Sequence, residues 1–226
     1  MLPPDRPHAL TRTGPWLLAR YPVPHRVLSW AIVGGGLARA RTVAWLRVTD
    51  GDLPQGVDPR ALLVARLQEA DLTGAVGMLT AANLDRYEEA TACHGGVSAH
   101  VVVTVGLSNA RRVGDAPGSL TVGTINLLVT VSVPLTDEAL VEAASLAIEA
   151  RTVAVLEAGV RSPVSGGIAS GTGTDCVVLA AVDGPDPHAY AGKHTDVGCV
   201  IGAAVLEATA RGVAAWRARN PGDPRR

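Results

Sequence analysis

The sequence predicts an α+β fold: a mixed or largely antiparallel sheet with about three main helices packed on it, as a single domain of the 226-residue chain. Three observations lead there. Strand-like runs dominate the first two-thirds, and helical patterns come at wide intervals rather than one per strand. In addition, no G-x-G-x-x-G joins a strand to a helix with an acid about twenty residues on, so a Rossmann dinucleotide site has no support. A Walker A sequence is absent too.

Composition says how such a core must be packed. Alanine (36) and valine (30) outnumber the aromatics, four Trp and three Tyr with no Phe. Small and branched side chains suit strands and helices in close apposition. Trp16 to Tyr21, Val27 to Val33 and Arg41 to Thr49 read as the strands of a meander, the last two joined by a turn at Gly34-Gly35-Gly36. Asp58-Pro59 opens a helix, Asp as N-cap and Pro at the first helical position. Strands follow at Gly74 to Ala81, Tyr87 to Ala92, Val97 to Val105 and Leu120 to Val133. In the last, Thr121, Ile125, Leu127, Val129, Val131 and Val133 recur with the period of a half-buried strand. Thr136-Asp137-Glu138 starts a long helix on an alanine stripe that ends at Gly159. A strand from Asp175 to Val182 and a helix capped at Thr195-Asp196 complete the pattern. Residues 1–12 and 220–226 read as polar, Pro-rich tails around a domain at 13–219.

Several classes drop out. A net charge of −1 is not the footprint of a nucleic-acid binder. No uninterrupted apolar run approaches membrane-spanning length, and Met1 to Arg6 lacks a signal-peptide pattern. Cys93, Cys176 and Cys199 are widely spaced and read as reduced, mostly buried residues, which points to the cytoplasm. His8, His25 and His188 lie near prolines and read as surface residues, while His94 and His100 are open either way. No metal-ligand spacing is present, so neither a metal nor a cofactor is expected.

Four segments carry chemistry. Nineteen of 20 basic residues are arginine, which leaves Lys193 as the only lysine. It differs from arginine as a compact ammonium whose pKa falls on burial, and beside it His194 stands before a helix N-terminus. Cation and helix dipole together favour a neutral imidazole, suited to general-base work. The stretch Ser165 to Cys176 alternates glycines with hydroxyl residues. Gly171 and Gly173 let backbone N–H groups face an anion. Ser170, Thr172, Thr174 and Cys176 are candidate nucleophiles, and Asp175 a candidate orienting carboxylate. Asn109 and Asp115 belong to Gly106 to Asp115, and Asn126 to Gly123-Thr124-Ile125-Asn126. The two asparagines read either as a ligand-binding pair or as turn fasteners, and Asp115 as a turn residue.

Taken together, GLSNARRVGD (Gly106 to Asp115), GTINLLV (Gly123 to Val129), SPVSGGIASGTGTD (Ser162 to Asp175) and YAGKHT (Tyr190 to Thr195) resemble the adenosylcobinamide amidohydrolases of corrinoid salvage. VGMLTAANLDR (Val76 to Arg86) is similar as well, and the resemblance spans about Leu28 to Leu206. It implies hydrolysis of the amide joining aminopropanol to the corrin ring of adenosylcobinamide, the corrinoid being substrate and not cofactor. The products would be adenosylcobyric acid and 1-amino-2-propanol. No nucleic-acid or membrane partner is implied, and a homo-oligomer is left open.

For that reaction the residues suggest an oxyanion site on the N–H groups of Gly171 to Thr174, near Lys193. His194, oriented by Asp175, would activate either water or a hydroxyl of Ser170, Thr172 or Thr174. Asn109, Asn126, Gly171, Gly173 and Asp115 would line the substrate site. The competing readings are a corrinoid carrier without turnover and an amidase for a smaller substrate.

Overall fold

A computed structural model describes residues 6–49, 51–118, 123–221 and 223. Ten strands and three α-helices occur among them. They are β1 (Ala9–Thr13), β2 (Trp16–Ser29), β3 (Gly36–Arg47), α1 (Pro59–Glu69), β4 (Val76–Thr80), β5 (Glu88–His94), β6 (Val97–Val105), β7 (Ala110–Arg111), β8 (Ile125–Val131), α2 (Asp137–Glu157), β9 (Gly171–Thr172), β10 (Cys176–Ala181) and α3 (Asp196–Arg219). The eight-stranded sheet runs β4-β3-β2-β10-β8-β6-β5, with β1 added to β2. It is mixed: β3 and β4 pair in parallel, as do β8 and β10, and the other pairs are antiparallel. The α+β expectation holds.

One face of the central strands carries the two long helices. Val101, Val103, Leu127, Val129, Val177 and Leu179 point to that side and form one core with Leu140, Ala143, Ala147, Ile201, Ala204 and Ala208. The capping hydroxyls act as the sequence suggests: Thr136 Oγ1 accepts from the N–H of Ala139 (3.2 Å), and Thr195 Oγ1 from that of Gly198 (3.0 Å).

The opposite face is also covered, by the sheet itself. Leu17, Val43, Trp45 and Met78 of β2–β4 share a core with Val102, Leu128 and Val178 of β6, β8 and β10. Strands so far apart in the sheet order meet only because the sheet folds back. The long β2 supplies the bend, its register breaking between Arg20 and His25 where Pro22 and Pro24 withdraw two N–H donors. Helix α1 packs outside the folded-back part, Leu63 and Leu67 against Trp16, Leu18, Ala44 and Leu46.

This geometry revises several expectations. The runs at Trp16 to Tyr21 and Val27 to Val33 form one bent strand that ends at Ser29. Strand β8 is buried on both faces rather than half-buried, since the returning sheet covers Asn126, Leu128 and Thr130. Leu120 and Thr121, expected at its start, lie outside the described residues. Of the expected N-terminal tail, residues 1–5 lie outside the described residues, while Ala9–Thr13 pairs with β2 and His8 is wholly buried. His25 is buried as well, against the surface position expected of it. Cys93 and Cys199 are exposed, which leaves Cys176 as the buried thiol. Helix α3 has the length and apolarity to cross a membrane, but more than half of its most apolar stretch is buried in this core.

Candidate functional site

The Asp175 carboxylate, just before β10, is the centre of a polar cluster that supplies it with four hydrogen-bond donors. Its Oδ1 accepts from the backbone N–H of Ile125 (3.0 Å) and from the Thr172 hydroxyl. Its Oδ2 accepts from the Thr172 N–H (2.9 Å) and from the Arg151 guanidinium. Both charged side chains are only 9% exposed. Arg151 comes from α2, whose alanine stripe brings that helix close enough for a guanidinium to reach the strand end. Gly171 is required sterically: a Cβ there would strike both the guanidinium and the Asp175 carboxylate.

Around this pair three of the four chemistry-bearing segments converge. Thr174 Oγ1 donates to the carbonyl of Gly123 (3.0 Å), and the Thr124 hydroxyl lies within donating distance of the carbonyl of Thr174 (2.8 Å) and of Asn126 Oδ1 (3.2 Å). Asn126 Nδ2 donates across the folded sheet to the carbonyl of Leu79 (2.7 Å). The N–H of Gly173 donates to the carbonyl of Asn109 (3.1 Å). Asn109 and Asn126 are both buried and do not face the surface, and the Asn126 amide fastens the scaffold. Gly173 and Thr174 are exposed, and Thr172 is partly so.

The other expected residues fall elsewhere. Ser170 Oγ accepts from the N–H of Val113 (2.8 Å) on the flank formed by the small β7–β9 ribbon. Asp115 holds a turn there. Hydrogen bonds from Ser162 foremost, then Ser165 and the Arg112 N–H, keep its carboxyl below the usual range. Burial, aided by neighbouring Asp175, pushes the Cys176 thiol up to about 12, which leaves it un-ionised and a poor nucleophile. Lys193 and His194 are exposed on the outer side of α2. Lys193 pairs there with Glu149 and lines a groove of about 600 Å³ with Glu138, Val141, Glu142 and Tyr190. Glu149 and Arg151 stand two residues apart on one helix, roughly 200° around its axis. The Lys193 contact and the Asp175 contact therefore leave α2 on opposite sides. The structure does not bring His194 to Asp175, whose oxygens are already taken by four donors, so the expected His194–Asp175 relay is not formed. The backbone oxyanion site is reduced likewise, since the N–H of Thr172 is committed to Asp175 and that of Gly173 to the Asn109 carbonyl.

Two contributors were not anticipated. Arg151 was hidden among alanines, although a cation flanked by Ala147, Ala150 and Ala154 on a packing stripe was the available signal. Trp30, just past β2, donates its indole N–H to the carbonyl of Asp175 (2.7 Å).

Between the two sheet layers lies a separate cluster of His8, Tyr21, His25, His100, Thr130 and Glu89. Tyr21 and Thr130 share a hydroxyl hydrogen bond (2.7 Å), and the rings of Tyr21 and His25 stack at 3.9 Å. Burial, reinforced by neighbouring positive charge, lowers His8 to about 3 and His100 to about 4. Among the described residues no three His, Cys, Asp or Glu side chains are placed to hold a metal ion.

What this geometry offers chemically is a hydroxyl hydrogen-bonded to a carboxylate that a buried arginine orients, an arrangement suited to acyl transfer. Comparison with known proteins fits that chemistry. The adenosylcobinamide amidohydrolase family matches residues 5–221, nearly the whole chain. The protein is thus an enzyme, a hydrolase acting on an amide. It belongs to the adenosylcobinamide amidohydrolase family. A search of the curated proteins found no match. Among solved structures, a beta-aminopeptidase from Burkholderia sp. matches at 15% identity over 92% of this chain and 82% of its own, with a TM-score of 0.46.

Proposed function

We propose that the protein hydrolyses the amide between 1-amino-2-propanol and the corrin ring of adenosylcobinamide, and that Thr172 is the nucleophile. Family membership supports the substrate class. The observation that carries the mechanism is the Thr172–Asp175–Arg151 chain, in which nucleophile, base and orienting group stand in hydrogen-bonded sequence.

Thr172 Oγ1 attacks the amide carbonyl while its proton passes to Asp175 Oδ1. The N–H of Thr174 points at Thr172 Oγ1 from 3.5 Å, at the edge of hydrogen-bond range, and in this reading turns to the developing oxyanion. Collapse of the tetrahedral intermediate breaks the C–N bond, and Asp175 returns its proton to the departing amine. The threonyl ester left behind is cleaved by water, whose proton takes the same route. The products are adenosylcobyric acid and 1-amino-2-propanol, with Thr172 regenerated. Arg151 and the N–H of Ile125 hold the carboxylate in place throughout.

The test is mass spectrometry of purified protein incubated with adenosylcobinamide. Both products are expected from the parent protein. Thr172→Ala is expected to lower kcat by at least about a hundredfold, and Thr172→Ser to retain much of it. Undiminished turnover in Thr172→Ala, beside an active parent, would move the nucleophile to water or to another hydroxyl.

A further inference from the structure

We infer that Trp30 is a substrate-positioning residue, its exposed indole face the shelf on which the apolar part of the corrin macrocycle rests while the side-chain amide reaches Thr172. This rests on the proposed corrinoid reaction and adds the surface that holds the ring. The chain has four tryptophans. Trp16, Trp45 and Trp216 are buried, whereas Trp30 is 46% exposed. An indole left half in water beside a reacting group is a recurrent feature of ligand contact, because a large flat face gains much on burial and loses little entropy.

Its position is fixed. The N–H donates to the carbonyl of Asp175 (2.7 Å), the residue that serves Thr172 as base, so indole and reacting hydroxyl are held in one frame. Beside it the shelf continues along the hairpin. Leu37 of β3 pairs with Leu28 of β2, and Leu28 packs on the helix-side core. Leu37 is on that same side of the sheet, but α2 lies over β10 and leaves it 54% exposed. The exposed indole thus borders the Thr172–Asp175 pair, and Leu37 adds exposed apolar surface on the same hairpin. A substrate with a broad, partly apolar ring and a short amide arm matches that layout.

Steady-state kinetics with adenosylcobinamide tests this, with its dissociation constant measured by equilibrium dialysis. Trp30→Ala is expected to raise KM and the dissociation constant at least about tenfold, while kcat changes less than about threefold. Trp30→Phe keeps an aromatic face but cannot make the bond to Asp175, and it is expected to restore KM. If Trp30 merely braced the Asp175 carbonyl, both variants would instead lose kcat alike. Leu37→Glu, on an exposed position that tolerates folding, is expected to raise KM in the same direction as Trp30→Ala. An active parent whose KM is unchanged in Trp30→Ala and Leu37→Glu would overturn this inference alone. A parent that neither binds nor hydrolyses adenosylcobinamide would overturn the proposed function and this shelf together.

Discussion

The rings of His8 and His100 meet edge to face at 4.9 Å, joining the segment before the first strand to the middle of β6 inside the folded sheet. The contact needs both imidazoles neutral, since two cations could not share so dry a space. Arg6, His25 and Glu89 face the same cluster, and Glu89 is itself raised by burial although Arg6 opposes the shift.

This gives a pH dependence of definite sign. In the unfolded chain each histidine takes up a proton near the ordinary imidazole value of 6.5, whereas in the folded protein His8 does so only at about 3 and His100 at about 4. The unfolded state therefore binds more protons as pH falls below the unfolded value, and stability drops. It is full above that value and is lost progressively toward the folded ones. Glu89, raised by burial, contributes with the opposite sign, and the histidine effect sets in as pH falls from 7 to 5. Urea midpoints measured across that window should fall with pH. His8→Phe, which keeps a ring but cannot charge, should flatten the slope. An unchanged slope would show that His8 is already solvated.

Arg151 and Asp175 are the pair on which the site depends. Deleting one partner of a buried ion pair strands the other charge, at a cost of about 3 kcal/mol. Arg151→Met should lower unfolding free energy by that order and abolish turnover. Adding Asp175→Asn should recover part of the stability but none of the activity. Urea denaturation alongside product assays separates the two effects. Retained activity in Arg151→Met would remove the arginine from the mechanism.

Lys193 and His194 provide the contrast. An exposed pair such as Lys193–Glu149 contributes at most about 1 kcal/mol. His194→Ala and Lys193→Ala should leave kcat within about threefold of the parent. A loss of a hundredfold or more in His194→Ala would restore imidazole to the chemistry, and the loop around it would then have to move toward Thr172 during turnover.

What the sequence revealed follows from which interactions are local. Strand β6 was legible from end to end because valines fill it, and the caps at Asp58, Thr136 and Thr195 were legible because a capping bond spans two or three residues. Non-local cover was not. A half-buried β8 would leave Thr130 on its wet side, yet Thr130 and Asn126 serve as internal hydrogen-bond partners for Tyr21 and Leu79 once the sheet folds over. His25 looked exposed beside prolines that in fact mark the bend burying it, and His8 looked exposed because its cover comes from Tyr21 and His100, distant in sequence. At the site, the hydroxyl-rich loop and Asp175 stood out by composition. Arg151 and Trp30 did not, since each reaches the site only through the packing of α2 and the end of β2 on β10.

The central place of β10 has a consequence for how the chain is made. Residues 176–181 are flanked by β2 and β8, so the meander at the N-terminus and the β5–β8 unit are joined through a strand that leaves the ribosome after both. Until it arrives, β2 and β8 each present an unpaired inner edge rich in valine and leucine, the kind of surface that associates with the wrong partner. The same insertion, made late and between distant segments, delivers Asp175 to Thr172, Arg151 and Trp30 in one event. Completion of the sheet and assembly of the reacting groups are therefore a single step in the life of the nascent chain.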